Sequence, residues 1–286
     1  MFKYILSLAI LFLGLQTNGQ SKKAYQIFKS NGKKTSYKKL LKTAKKADMV
    51  FFGEEHDNPV GHWLELELTK DLYQTAGKPL ILGAEMMETD NQIALNRYLN
   101  KEIDYRTLKK EARLWPNFKT DYKPLVDFAQ KHQLPFIATN IPRRYASKVF
   151  HGGFKAIDTL PQTDKQWIAP LPIKYDKNLS QYKKMLGMMG GHGGNNLPKA
   201  QAVKDATMAY NILKHYKKGN LFIHYNGSYH SNFKQGIIWY IKQQNPNLKI
   251  VTIDVETQDN LKKLDPKHKG KADFIIVVPK DFPKSY

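Results

Sequence analysis

The sequence predicts an α/β fold, a mostly parallel sheet flanked by helices with a largely helical insertion. Three observations predict it. Six short runs read as strands, and most of them are continuously apolar. Helix-forming stretches stand between them, and the polar residues collect at the runs' C-terminal ends. Continuous apolar runs suit strands covered by helices on both faces, because a strand with one wet face alternates. A β–α–β order makes neighbouring strands parallel.

The elements follow in chain order. "MFKYILSLAILFLGLQTNGQ" has a basic Lys3, an apolar stretch from Tyr4 to Leu15, and then small and polar residues. This is the pattern of a cleaved secretory signal, ending near Gly19 or Gln20. The expectation is a signal peptide over 1–20 and one domain over 21–286. The strand candidates are Ala47–Gly53, Pro79–Glu85, Leu134–Asn140, Asn220–Gly227, Leu248–Val255 and Asp273–Pro279. The first helix, "PVGHWLELELTKDLYQTAG", ends at Gly77, a glycine C-cap. Its Trp63, Leu66 and Leu68 are expected in the core, and His62 on the helix surface. "TDNQIALNRYL" starts with Thr89 or Asp90 as N-cap. "RLWPNFKTDYKPL" is dense in aromatics and reads as a packed loop or a cleft wall. The stretch from about 142 to 198 has no clear strand and reads as the helical insertion. "KAQAVKDATMAYNILKHYKKG" places Ala202, Ala206, Ala209 and Leu213 on one face, with lysines in its last turn and Gly219 beyond.

Composition narrows the function. The 286 residues are 41% hydrophobic and 12% aromatic, which is globular. Cysteine is absent, so there are no disulfides and no lipidated cysteine. The net charge of +21 favours anionic partners. Export, and the lack of an arginine-rich stripe, argue against nucleic acid. Membrane contact is expected to be peripheral at most.

The strand ends carry the chemistry. Glu54, Glu55, His56, Asp57 and Asn58 follow the first run, and Glu85 and Glu88 end the second. Thr139, Asn140, Arg143 and Arg144 follow the third; His224, Asn226, Ser228, Tyr229 and His230 end the fourth. In a parallel sheet these ends share one edge, where ligands bind in open α/β folds. Two ends match each other: "FFGEEHDN" and "HYNGSYHSN" both read strand–Gly–x–x–His–x–Asn. Gly53 and Gly227 are expected to allow a sharp departure from the strand. His56 and His230 would then face one cleft, beside Glu54 and Glu85.

These motifs resemble the ChaN-like haem-binding uptake family of the Tiki superfamily. The resemblance rests on "FFGEEHDNPVGHW", "LGAEMMETDNQIALNRYL" and "HYNGSYHSNFKQGI" and covers roughly Met49 to Val255. It implies an α/β core with a helical insertion, export, and a role in iron or haem acquisition. It also implies haem held at a dimer interface by a tyrosine axial ligand, so a homodimer is admissible. The family's lipoprotein members are membrane-anchored; without cysteine this chain departs from them. Other branches of the superfamily are hydrolases, metal-dependent proteases and erythromycin esterases among them.

Two chemistries therefore stand side by side. A haem binder needs an axial ligand, an apolar slot and cations for the propionates. Arg143, Arg144, Met189, His192, Tyr225 and Tyr229 are the candidates, Met189 and His192 lying in the loop "MLGMMGGHGGNN". Haem or another small anionic ligand would be the partner, in a periplasmic or extracellular protein. A hydrolase would use Glu54, His56, Glu85 and His230 instead. These four would share a divalent metal such as Mn, Fe, Co or Zn, or Glu85 or His56 would act directly as base. Arg143 and Arg144 would then steady an oxyanion or a substrate carboxylate. No G-x-S-x-G, H-E-x-x-H, Walker loop or C-x-x-C-H occurs, which excludes several common enzyme classes and covalent haem.

Overall fold

The computed structural model describes residues 22–186 and 194–286. The expected signal segment, Met188, Met189 and His192 lie outside the described residues. Eight strands form one sheet: β1 (Gln26–Lys29), β2 (Lys34–Thr35), β3 (Met49–Glu54), β4 (Leu80–Glu88), β5 (Phe136–Asn140), β6 (Leu221–Gly227), β7 (Ile250–Gln258) and β8 (Phe274–Pro279). Their spatial order is β2-β1-β8-β7-β3-β6-β4-β5. Every pairing from β8 across to β5 is parallel, and β1 adds an antiparallel edge with β2 beyond it.

All six expected strands are present. The β1–β2 hairpin was not expected; it turns through Asn31–Gly32, with Gly32 at φ 83°. An Asn-Gly pair between strand residues is the usual sign of such a turn. Two residues and four residues are too short for periodicity to show.

Both faces of the sheet are covered. Val50, Phe52, Leu82, Ala84, Ile223, Tyr225 and Ile253 point to one side. There they meet the helices α1 (Tyr37–Ala44), α2 (Pro59–Thr75), α3 (Gln92–Leu99), α4 (Tyr105–Glu111) and α5 (Lys123–His132). Met49, Phe51, Ile81, Phe222 and Ile250 point to the other side, against two later helices. The 2-residue period of a strand makes this split, and each fully buried large apolar side chain contributes about 1.5–3 kcal/mol.

Where described, the segment 142–198 carries the helices α6 (Arg143–Gly152), α7 (Lys155–Asp158), α8 (Gln162–Lys165) and α9 (Ser180–Leu186), with irregular chain over 166–179. Its own small core, Tyr145, Val149, Ile157 and Ile168, closes on Ala200 and Val203 of α10 (Leu197–His215). Helix α11 (Ile237–Gln244) then leads to β7. The insertion thus braces α10 over the sheet's C-terminal edge.

Some local expectations change. Gly77 has φ 65° just past α2, as a C-terminal glycine should. Thr89 and Asp90 do not cap α3. Thr89 Oγ1 donates to Trp167 O, and Asp90 pairs with Arg113 and Arg144. Leu68 is core, but Trp63 is 50% exposed and lies against the Tyr25 ring. His62 is buried, not on the surface, because the Phe118–Tyr122 turn covers that side of α2. No helix among the described residues is long and apolar enough to cross a membrane.

Candidate functional site

Strand register builds the site. β3 lies between β6 and β7, with Gly53 opposite Asn226 and Asp254 and Glu54 opposite Gly227. The two Gly–x–x–His turns therefore leave the sheet side by side. Neither glycine has a left-handed backbone. Gly53 lies within β3, where a Cβ would stand 3.1 Å from Ile253 O and 3.2 Å from Ser228 Cα. A Cβ on Gly227 would stand 2.7 Å from His56 Nε2. The glycines permit close approach, and Gly227 makes the space that His56 occupies.

A cleft of about 740 Å³ opens over this edge. That is ordinary for a small-molecule site. Glu54, His56, Glu85, Arg143, Tyr229 and His230 all line it. Arg144 does not; it pairs with Asp90 and stacks on Tyr145. Tyr225 does not either. Its side chain belongs to the core on the α2 side, and its hydroxyl meets Thr69 Oγ1 at 2.5 Å. Alternation along β6 sends Tyr225 and His224 to opposite faces, so position alone misjudged it. Trp115, Ile141, Met185 and Val255 form the apolar part of the lining. The aromatic stretch thus does both jobs: Trp115 walls the cleft while Phe118 and Tyr122 are buried.

The four acid–base residues form two clusters. In the first, His230 is buried between two carboxylates. Its Nε2 is 3.0 Å from Glu85 Oε1 and its Nδ1 is 2.5 Å from Asp205 Oδ1. Gly227 N–H donates to Glu85 Oε2 at 2.7 Å, and Tyr182 donates to Asp205 Oδ2 at 2.7 Å. Burial works against the charged ring, but the charges of Glu85 and Asp205 outweigh it and push His230 up to about 9. Burial likewise opposes ionised Glu85, yet the His230 and His56 charges hold it well below the usual carboxylate range. Burial dominates Asp205 and pushes it up despite His230. Glu85 and His230 thus form a buried ion pair.

In the second cluster, His56 Nδ1 is 2.6 Å from Glu54 Oε1, which also accepts from Tyr122 at 2.7 Å. Burial opposes a charged His56, and the Glu54 hydrogen bond and Glu85 charge raise it nonetheless. His62 stands behind. Its Nδ1 is 3.2 Å from Glu65 Oε2 and 3.4 Å from Glu54 Oε2. Asn117 Nδ2 donates to His56 O at 3.0 Å. Burial and the Glu54 charge push Glu65 well up. Glu54 stays below its ordinary value: burial opposes this, and His56 and His62 bring it about.

Asp205, His62, Glu65 and Tyr122 were not picked from the sequence. Asp205 lies in an alanine-rich helix, on the same face as Ala202 and Ala209, and a charge at such a position was the available signal. The four expected metal residues do not gather. Among the described residues, only Glu54, His62 and Glu65 bring three ligand atoms within 4.8 Å of one another.

Comparison with known proteins agrees with this architecture. ChaN of Campylobacter jejuni, solved in a study of its cofacial haem binding, superimposes with a TM-score of 0.67 at 20% identity. The match covers 90% of this chain and 97% of that one. A protein from Bacillus cereus gives a TM-score of 0.53 at 13% identity, over 87% of this chain and 92% of that one. Among curated proteins, the chloroplastic Reticulata-related 5 of Arabidopsis thaliana is 28% identical over 131 residues. Those are 44% of this chain and 17% of that protein, so the chain spans about a sixth of its length. The family model for haem-binding uptake proteins, Tiki superfamily, ChaN, matches residues 40–241. The chain belongs to this ChaN haem-binding family of the Tiki superfamily.

Proposed function

We propose that the chain is an exported haem-binding protein of iron or haem acquisition, and that it holds haem in the cleft over the sheet edge. Tyr229 carries this reading. It stands on the cleft lining, 42% exposed, and its hydroxyl has no hydrogen-bond partner among the described residues. A phenol free to coordinate at an open mouth is what a tyrosine-ligated haem requires. The rest of the lining fits as well. Trp115, Ile141, Met185 and Val255 offer an apolar wall. Arg143 and Lys204 have no carboxylate partner among the described residues and suit propionates. Lys271 is spoken for by Glu256. The bound group would supply the iron; Tyr229 would hold it, Arg143 and Lys204 would orient it, and Trp115 would exclude water from one side. A homodimer closing two such mouths fits an exposed axial residue.

Haemin titration tests the reading. The expected result is a Soret shift at micromolar protein, lost or displaced in Tyr229→Phe. Arg143→Ala with Lys204→Ala should weaken binding, each charge-assisted contact being worth about 1.5–3 kcal/mol. An unchanged spectrum in Tyr229→Phe would remove Tyr229 as ligand, and no Soret shift in the parent would end the proposal.

A second reading, a Tiki-type hydrolase, is favoured by one observation. Glu54 accepts from Nδ1 of His56, which leaves Nε2 beside Gly227 and facing the cleft. This is the carboxylate–imidazole arrangement of a general base. His230 does not fit that role, since both ring nitrogens face carboxylates and it stays protonated at neutral pH. On this reading Glu54→Gln slows ester or peptide turnover by at least about 100-fold, while Tyr229→Phe does not.

A further inference from the structure

We propose that Glu54, His62 and Glu65 form a buried binding site for one divalent transition-metal ion, behind the cleft and separate from its ligand. The three side chains converge from the end of β3 and the first turns of α2. Glu65 is 0% exposed, Glu54 2% and His62 6%. The tautomer of His62 is set from one side: Nε2 lies 3.0 Å from the carbonyl of His56, which can only accept, so Nε2 carries the hydrogen. Nδ1 then faces two carboxylates, Glu65 Oε2 at 3.2 Å and Glu54 Oε2 at 3.4 Å. A bare lone pair pointed at two carboxylates is repelled, so a proton, on Nδ1 or on a carboxyl, or a metal ion must stand there.

The spacing favours a metal. A charge-assisted N–H···O bond draws its atoms to about 2.7–2.9 Å. In the other cluster His230 stands 2.5 Å and 3.0 Å from its carboxylates. His62 stands off farther on both sides. Ligand atoms bound tetrahedrally at about 2.0–2.1 Å lie about 3.3–3.4 Å apart, which is the separation seen. Two buried oxygens are also left without hydrogen-bond partners, Glu54 Oε2 and Glu65 Oε1. Buried carboxylate oxygens are rarely left so; an ion facing His62 Nδ1 supplies Glu54 Oε2 directly, and Glu65 Oε1 when Glu65 binds through both oxygens. The hydrogen bond from His62 Nε2 to a backbone carbonyl is the usual outer support of a histidine ligand. One imidazole and two carboxylates suit zinc, manganese or ferrous iron over calcium or copper(I).

The test uses haem-free full-length mature protein, stripped with a chelator and reloaded with Zn²⁺ or Mn²⁺ alone. The expected result is about one equivalent retained by elemental analysis, with a melting midpoint that rises with metal concentration. Glu65→Gln, nearly isosteric and checked for folding by circular dichroism, should weaken retention by on the order of 100-fold, and His62→Ala likewise. Tyr229→Phe should retain metal as the parent does, which separates this site from haem ligation. Retention unchanged in Glu65→Gln would overturn the proposal. So would failure to retain either metal, with a His62 ring that nuclear magnetic resonance shows doubly protonated in the presence of metal.

Discussion

The two histidine clusters under the cleft are built from the same parts and finished differently. On the α10 side every carboxylate oxygen has a partner: His230 and Gly227 N–H for Glu85, His230 and Tyr182 for Asp205. On the α2 side Glu54, Glu65 and Asp121 crowd the histidines, and two oxygens go unpaired. A closed buried network rigidifies; an open one is costly unless something else enters it. The α10 cluster thus looks like a brace that holds β4, β6 and α10 together at the cleft floor. The α2 cluster has the composition of a binding site.

Breaking the brace should have the largest effect. Asp205→Ala leaves the buried Nδ1 of His230 and the Tyr182 hydroxyl without their partner. A loss of about 3–5 kcal/mol is expected in urea unfolding. If the loss were under about 1 kcal/mol, the two clusters would not differ as described.

Next comes pH. His230 titrates at about 9 when folded, above its ordinary value near 6.5. The folded state holds this proton more tightly than the unfolded chain does. Its contribution is therefore complete below about pH 6.5 and fades as pH rises through about 9. The full difference corresponds to about 3 kcal/mol. Unfolding curves at several pH values should show it, and His230→Gln should flatten that limb.

Gly227→Ala tests the space shared by the clusters. Its Cβ would fall 2.7 Å from His56 Nε2 and 3.4 Å from Glu85 Oε2. A cost of about 1–3 kcal/mol is expected from overpacking. His56 is the side chain that can swing away, so an altered haemin spectrum should accompany the loss. The smallest effect is expected from Glu65→Gln in metal-free protein. It replaces a crowded buried carboxyl whose ionisation burial and the Glu54 charge already disfavour. Stability should stay within about 1 kcal/mol of the parent. A loss like that of Asp205→Ala would make the α2 cluster a brace too.

How far the sequence reached depended on the range of each signal. The six apolar runs located all six strands of the parallel part of the sheet, because burial on both faces writes itself into consecutive residues. The matched "FFGEEH" and "YNGSYH" turns announced a paired arrangement, and register set them one residue apart. The β1–β2 hairpin was missed because its strands are too short for a period to form. His62 was assigned to a surface that the Phe118–Tyr122 turn in fact covers, 56 residues or more along the chain. Tyr225 was placed at the cleft by proximity, while strand alternation turned it into the core.

By itself the sequence determined the α/β class, the strand ends as the place for chemistry, and the residue types gathered there. These depend on local pattern and on the one-edge geometry of a parallel sheet. Only the tertiary structure decided which side chains meet. It paired His230 with Asp205, 25 residues away. It also set Tyr122 on Glu54 across 68 residues. Such contacts depend on how helices from opposite faces close over the sheet, and no spacing along the chain encodes that closure.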